Sequence, residues 1–316
     1  MGVAVSPPAV AGDAYLAADG RRLSLREWQP EAGTPTRAVV LALHGFNDYS
    51  NAFDMPARYF AASGIATYAY DQRGFGLSGR PGIWATSDTL VADLHGAVNA
   101  LRRRHPDVPL HLLGESMGGA VVLTALGEPP PPGHAPLADL IDGAILSAPA
   151  VWDADSLTTM QRIGLWFASN AVPWLKLTPP RELGIVPSDN IDMLRALGRD
   201  PLVIKETRAD AVAGLVFLMT RAQAAIPRID GVPLLMMYGR NEQVIPKVPI
   251  AKAIEALSER QKVAVYERGY HMLLRDLQAE VVWRDAVSWM LDPDTPLPSA
   301  ADHVPWNIEA QVVESP

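Results

Sequence analysis

The chain of 316 residues contains no cysteine. This absence excludes a thiolate nucleophile, disulfide bonds and zinc sites built on cysteine, and it is compatible with any compartment. Positive charge is scarce as well, because 27 lysines and arginines stand against 35 aspartates and glutamates, a formal net charge of -8. The charge balance therefore gives no sign of a basic surface that would bind nucleic acid, and we expect no nucleic-acid partner.

Long apolar runs are also missing. No run approaches the roughly 18 apolar residues that a membrane-spanning helix needs. The opening MGVAVSPP has neither a basic region nor a long apolar region, so no signal peptide is expected. We expect a soluble protein, loosely ordered over residues 1–12, and its compartment stays open between the cytoplasm and the cell envelope.

What the sequence does contain is ample apolar material, since 48% of its residues are hydrophobic. That is enough for a large core, in one α/β domain with an insertion or in two small domains. The run 38–43 is continuously apolar, as in a strand buried on both faces of a parallel sheet. Strand-like and helix-like segments then alternate along the chain, with one interruption. We predict strands at 14–20, 23–28, 38–43, 65–70, 108–113, 143–149, 232–238 and 262–266, and helices at 51–62, 87–104, 119–126, 248–257 and 277–290.

The alternation stops between residues 151 and 225. We interpret this segment as an inserted helical cap, between two parts of an α/β core at 13–150 and 226–292, with a surface-wrapping tail at 293–316. Trp166, Phe167 and Trp174 give the cap an aromatic density too high for an ordinary surface loop. They are candidate substrate-binding residues, and they predict transient contact of the cap with a membrane or micelle surface. The alternative is that they only pack the cap onto the core.

The chain is organised around a strand, the pentapeptide GESMG at 114–118, and a helix. A G-x-S-x-G sequence in this context is typical of a nucleophile elbow. The serine of such an elbow sits in a strained turn, so its neighbours two positions away must be small. Ser116 is therefore the candidate nucleophile, and the Met117 N–H, at the start of the helix, is a candidate oxyanion donor.

A serine hydroxyl needs a base, and the base needs an orienting acid. Of the seven histidines, His271 is the best candidate because it follows a strand and precedes the last helix. The acid is expected after the preceding strand, where Glu242 lies, and the chain order Ser, Glu, His fits this architecture. Glu242 as an exposed loop carboxylate is the alternative, with Asp276 and Asp230 as reserve candidates for the acid.

The loop after the strand 38–43 should supply the second oxyanion donor. In its sequence HGFN the Phe46 N–H is best placed for this, beside that of Met117. Asn47 is a candidate substrate-binding residue on the same loop. His44 is expected to shape the loop by hydrogen bonding and not to take a proton.

Five motifs together give a family resemblance: HGF at 44–46, DQRGFGLSG at 71–79, GESMGG at 114–119, SAP at 147–149 and GYH at 269–271. The chain resembles the monoacylglycerol lipase and lysophospholipase branch of the α/β-hydrolases from about residue 14 to 291, and only loosely in the cap. The resemblance implies a mostly parallel eight-stranded sheet with helices on both faces, a helical cap, and hydrolysis of monoacyl esters without metal or cofactor. In the acid position that branch usually has aspartate, whereas this chain has Glu242.

The same fold also carries other enzyme classes and non-catalytic binding proteins. A haloalkane dehalogenase or an epoxide hydrolase would need a carboxylate at position 116, and the serine there argues against both. A proline-specific peptidase shares the fold and the triad, but it would want an acidic pocket for a peptide amino terminus, which the sequence does not locate. A non-catalytic ligand-binding protein on the same scaffold is the third reading, since fold does not fix function. The expected substrate is accordingly a small-molecule or lipid ester.

Overall fold

The computed structural model describes residues 4–152, 171–177 and 184–306. Its strands correspond to the apolar runs in the sequence, with short additions at the amino terminus and in the cap. They are β1 (Ala9–Ala11), β2 (Ala14–Leu16), β3 (Arg22–Trp28), β4 (Ala38–Leu43), β5 (Ile65–Tyr70), β6 (Leu110–Glu115), β7 (Gly143–Ser147), β8 (Lys176–Leu177), β9 (Thr207–Arg208), β10 (Leu234–Gly239) and β11 (Lys262–Tyr266).

Nine of these strands form one sheet in the order β1-β2-β3-β5-β4-β6-β7-β10-β11. The strands from β5 to β11 in this order pair in parallel, and β1, β2 and β3 add an antiparallel edge. The sheet thus has one strand more than the resemblance implies. The extra strand is β1, inside the segment 1–12 that we expected to be loosely ordered. Gly12, at φ 56°, allows the tight turn that pairs Val10 with Tyr15.

Helices cover both faces of the sheet. They are α1 (Asp54–Ala62), α2 (Ser87–Arg104), α3 (Met117–Gly127), α4 (Ile191–Arg199), α5 (Ala209–Ala225), α6 (Lys247–Glu255) and α7 (Ala279–Leu291). Side chains of β4 alternate between two cores: Leu41 belongs to the core under α2, α3 and α6, whereas Val40 belongs to the core under α1 and α7. This alternation with a period of two explains why the strand is apolar at every position.

The described part of the cap, between β7 and β10, contains α4, α5 and a two-stranded antiparallel sheet of β8 and β9 that the sequence did not predict. By length and composition alone, residues 209–228 could cross a membrane, contrary to our expectation. In the fold, however, α5 packs closely on α3. A Cβ at Gly127 of α3 would lie 2.2 Å from the carbonyl oxygen of Ala225, and Leu218 and Ala222 of α5 are buried in the core.

The described part of the tail, up to residue 306, packs against strand β10 and helix α7. The ring of Trp306 lies 5.6 Å from that of Tyr238, which is in β10. Asp285 of α7 accepts hydrogen bonds from the Ser299 side chain and from the Tyr266 hydroxyl of β11. These contacts close the edge of the sheet next to β11.

Candidate active site

Ser116 occupies a sharp turn between β6 and α3. Its backbone has φ 49° and ψ -113°, a conformation that non-glycine residues rarely adopt and that stores strain. The turn is fixed by its hydrogen bonds, since the Ser116 N–H donates to the Ser147 carbonyl and the Ser116 carbonyl accepts from Ala120 and Ala150. The strained elbow predicted from the sequence is therefore present in the fold.

The glycines of the elbow are needed for close approach. A Cβ at Gly118 would lie 2.0 Å from the carbonyl oxygen of Leu43, at the end of β4. A Cβ at Gly114 would lie 2.6 Å from the Cα of Gly119. Both distances are far below any real contact, so strand and helix reach this separation only with glycine at these positions.

His271 and Glu242 lie on neighbouring loops at the carboxyl edge of the sheet, after β11 and β10 respectively. The distance from His271 Nδ1 to Glu242 Oε2 is 2.7 Å, and both side chains are buried. The other oxygen, Glu242 Oε1, accepts the N–H groups of Val244 and Ile245 at 2.6 and 3.1 Å. The carboxylate is thus held from both sides and fixes the orientation of the imidazole.

The two groups shift each other's pKa. Burial alone would lower the pKa of His271, but the charge of Glu242 and its hydrogen bond outweigh burial and raise this pKa above its ordinary value. Burial alone would raise the pKa of Glu242, but His271 and the two backbone N–H groups lower it. The pair therefore favours an ionised Glu242 that stabilises a positive charge on His271.

The reserve candidates for the acid have other partners. Asp276 accepts a 2.6 Å hydrogen bond from the Ser188 hydroxyl and a 2.7 Å hydrogen bond from the Tyr270 N–H. Burial raises the pKa of Asp276 to about 6. Asp230 precedes β10, at the opposite edge of the sheet, and accepts from the N–H of Gly231. Of the three carboxylates, Glu242 is the one in contact with His271.

The loop after β4 lies beside the nucleophile. A Cβ at Gly45 would be 3.4 Å from the Cβ of Ser116. Among the described residues, the N–H of Phe46 has no hydrogen-bond acceptor, and neither has the N–H of Met117 at the start of α3. Both donors are thus available for a ligand, as an oxyanion hole requires.

His44 shapes this loop, as expected. Its Nδ1–H donates to the Gly45 carbonyl at 2.8 Å, and its Nε2 accepts the Gln72 N–H at 2.9 Å. Burial lowers the pKa of His44. Because Nε2 accepts a backbone N–H it carries no proton, and the two bonds set the tautomer of the ring.

Ser116, His271 and Phe46 face one cavity of about 390 Å³. Apart from these three residues, the described lining of the cavity is mostly apolar. These apolar lining residues were not predicted from the sequence. They include Trp152, Pro187, Leu215, Val216, Met219, Val244, Ile245 and Met272. Three of these lie on α5, whose long apolar sequence was the available signal.

The four candidate substrate-binding residues differ in where they lie relative to the cavity. The Asn47 side chain donates a 2.7 Å hydrogen bond to the Thr207 hydroxyl, so it ties its loop to the cap instead of lining the cavity. Trp174 is 65% exposed and is likewise not among the described lining residues of the cavity. Trp166 and Phe167 lie outside the described residues.

Sequence reasoning also missed three charged residues in the cavity lining, Asp48, Glu115 and Arg275. All three are buried, and Arg275 forms an ion pair with each of the two carboxylates. Charged side chains are rarely buried unless paired, so their sequence positions alone gave little sign of this. The one available signal was Glu115, a carboxylate inside an otherwise apolar strand and elbow.

A family model described as "Serine aminopeptidase, S33" matches residues 34–278, which is most of the chain. The chain belongs to this family of α/β-hydrolases. Curated relatives in the family carry lipase names. A monoacylglycerol lipase of Mycolicibacterium smegmatis is 27% identical over 293 residues, 88% of this chain and 95% of the relative. The human monoglyceride lipase is 28% identical over 264 residues, 82% of this chain and 83% of the relative.

Solved structures agree on the fold. A soluble variant of the Saccharomyces cerevisiae monoglyceride lipase, crystallised with a substrate analogue, superposes with a TM-score of 0.74 at 19% identity. The match covers 92% of this chain and 97% of that one. By homology this α/β-hydrolase is a lipase or esterase-type serine hydrolase of the monoglyceride lipase branch.

Proposed function

We propose that this α/β-hydrolase cleaves monoacyl esters, monoacylglycerols first among them, through an acyl-enzyme on Ser116. The observation that carries the proposal is the His271–Glu242 pair, whose histidine faces the same mostly apolar cavity as the strained Ser116. The lipase names of the relatives support the same substrate class. No step requires a metal or a cofactor.

The proposed reaction proceeds in two halves. His271 takes the proton of Ser116 Oγ through Nε2, the ring nitrogen that Glu242 does not contact, while Oγ attacks the ester carbonyl. The oxyanion accepts hydrogen bonds from the N–H groups of Phe46 and Met117, each worth about 3 kcal/mol of barrier lowering. His271 then protonates the leaving alcohol, and a water molecule activated by His271 hydrolyses the acyl-enzyme. Glu242 stabilises the imidazolium in both halves.

The cavity wall suits an acyl chain. Leu215, Val216 and Met219 present apolar side chains from α5, and each buried methylene of a substrate is worth about 0.8 kcal/mol. Phe217 and Val186 are exposed beside lining residues of the cavity, and the lining residue Val244 is itself exposed. Together with the exposed Trp174, they offer apolar surface for transient contact with a membrane or micelle that supplies the substrate.

The peptidase alternative takes some support from the family's description as a serine aminopeptidase. A peptide amino terminus would need an unpaired carboxylate in the cavity. The two carboxylates in the described lining, Asp48 and Glu115, are both paired with Arg275. The ester hydrolase is therefore the better supported function.

A substrate panel tests the proposal. It comprises monoacylglycerols and p-nitrophenyl esters from two to sixteen acyl carbons, a triacylglycerol, and aminoacyl arylamides, each with wild-type protein and with Ser116→Ala. We expect kcat/KM to rise by about tenfold over two or three carbons from acetate and then to level off or fall. A flat series, or one highest at acetate, would contradict the monoacyl lipid substrate and leave a short-chain esterase. Arylamide hydrolysis without ester hydrolysis would favour the peptidase.

A further inference from the structure

The side chain of Arg275 bridges two carboxylates in the lining of the cavity. Its Nη1 lies 2.7 Å from Asp48 Oδ2, and its Nη2 lies 3.0 Å from Glu115 Oε1. All three residues are nine-tenths buried or more. Such a group of buried charges is costly to desolvate, and its retention beside a site points to a role other than stability.

Each of the three residues belongs to a different segment of the site. Asp48 lies in the loop of Phe46, and its N–H donates back to the Gly45 carbonyl at 3.3 Å. Glu115 is the residue directly before Ser116. Arg275 lies in the turn that begins at His271, where its own N–H donates to the Met272 carbonyl at 2.8 Å. One guanidinium group thus joins the oxyanion loop, the nucleophile elbow and the loop of the base.

We propose that Arg275 is a positioning residue, which sets the relative placement of the oxyanion donor, the nucleophile and the base by holding Asp48 and Glu115 with separate nitrogens. This inference rests on the proposed serine esterase function. It concerns residues other than the nucleophile, the base, the acid and the oxyanion donors, and it assigns them an effect on turnover and not on substrate binding.

The geometry requires arginine. A planar guanidinium presents nitrogens in fixed directions, whereas a lysine ammonium is a single point on a flexible stem. Lysine at position 275 would keep the charge but would not hold two carboxylates at the present separation. Because small displacements of catalytic groups are costly, about a hundredfold for 1 Å, the loss should appear in kcat.

The group also acts on His271 through its charges. The charged groups around the imidazole are Glu242, which has the largest charge effect, Glu115, which raises the pKa of His271, and Arg275, which lowers it. Removing the charge of Glu115 should therefore lower the pKa of His271. A loss of fold stability alone would not shift the pH dependence of the reaction in a defined direction.

The test compares Arg275→Lys and Glu115→Gln with a matched control, Arg102→Lys. Arg102 also joins separate segments, through Asp142 and the carbonyls of Leu140 and Val108, but at the opposite edge of the sheet. For each variant kcat and KM are measured on a p-nitrophenyl ester, together with the pH profile of kcat/KM and the Tm.

We expect Arg275→Lys to lower kcat by about tenfold or more with KM changed less than about threefold. Glu115→Gln should move the acid limb of kcat/KM to lower pH. Arg102→Lys should lower the Tm and leave kcat within about twofold of wild type.

The positioning role is overturned if Arg275→Lys keeps a wild-type kcat, or if Arg102→Lys loses as much kcat as Arg275→Lys. Should Arg275→Lys fail to fold, Glu115→Gln decides: an acid limb that stays in place or moves to higher pH overturns the inference. Failure of the proposed function looks different, since wild-type protein would then hydrolyse no ester and none of these comparisons would apply.

Discussion

His271 Nδ1 lies 2.7 Å from Glu242 Oε2, and the second oxygen of this carboxylate accepts two backbone N–H groups of its own loop. The glutamate is therefore held in place although its side chain is one methylene longer than the usual aspartate. The N–H groups of Val244 and Ile245 fold the loop around Oε1 and leave Oε2 directed at the histidine.

Glu242→Gln should lower kcat by about a hundredfold or more with little change in stability, because an amide does not stabilise the imidazolium or hold its tautomer as a carboxylate does. Steady-state kinetics on a p-nitrophenyl ester measure the effect. Asp230→Asn, at the far edge of the sheet, is the control and should retain wild-type kcat. If Asp230→Asn or Asp276→Asn abolished turnover while Glu242→Gln did not, Glu242 would not be the acid.

The pH dependence follows from the same pair. Glu242 raises the pKa of His271 above its ordinary 6.5, and the base must be neutral to accept a proton from Ser116. kcat/KM should therefore fall as the pH drops through this raised pKa, with a midpoint above 6.5. Profiles between about pH 4 and 9 on one soluble ester measure it. An acid limb centred below about pH 5 would contradict the assignment of His271.

The close packing around the elbow glycines predicts that their substitution lowers the free energy of unfolding. Gly118→Ala should lower the free energy of unfolding by about 3 kcal/mol or more, since its Cβ would lie 2.0 Å from a backbone oxygen of β4. Gly198→Ala in α4 is the matched control, because a Cβ there meets no atom within 4 Å. That substitution should leave stability unchanged or raise it by up to about 1 kcal/mol. Urea unfolding compares them, and equal stability of both variants would refute the close packing of the elbow.

We expect the preference for a given acyl-chain length to depend on α5. Leu215→Ala should reduce kcat/KM for octanoate esters by about tenfold while changing acetate hydrolysis less than about threefold. Trp174→Ala removes an exposed ring and should leave both values unchanged for dissolved substrates. Its effect is expected on micellar or vesicle-bound substrate only. Equal losses on acetate and octanoate in Leu215→Ala would show that α5 does not contact the acyl chain.

Local features of the fold could be predicted from sequence because their causes are local. Helix α2 has the predicted bounds 87–104, since the Thr86 hydroxyl accepts the Thr89 N–H at its start and apolar residues repeat at helical spacing. The strain at Ser116 was predictable for the same reason, because its neighbouring glycines and the following helix lie within a few residues of it.

Contacts between distant segments could not be predicted in this way. Arg275 and Asp48 are 227 positions apart, and neither residue differs in sequence from an ordinary surface charge. Asn47 lies on the oxyanion loop, but its side-chain partner is Thr207 of the cap, whose path over the core no local pattern specifies. Pairings of this kind depend on how the whole chain packs.

The central claim is that Ser116 is an activated nucleophile, and covalent labelling tests it most directly. Wild-type protein and Ser116→Ala are treated with a fluorophosphonate, and the intact mass, the labelled peptide and the residual ester hydrolysis are followed together. We predict one adduct per chain, on Ser116, formed in step with loss of activity and absent from Ser116→Ala. An unlabelled wild-type protein, or an adduct on another residue that forms equally in Ser116→Ala, would contradict it.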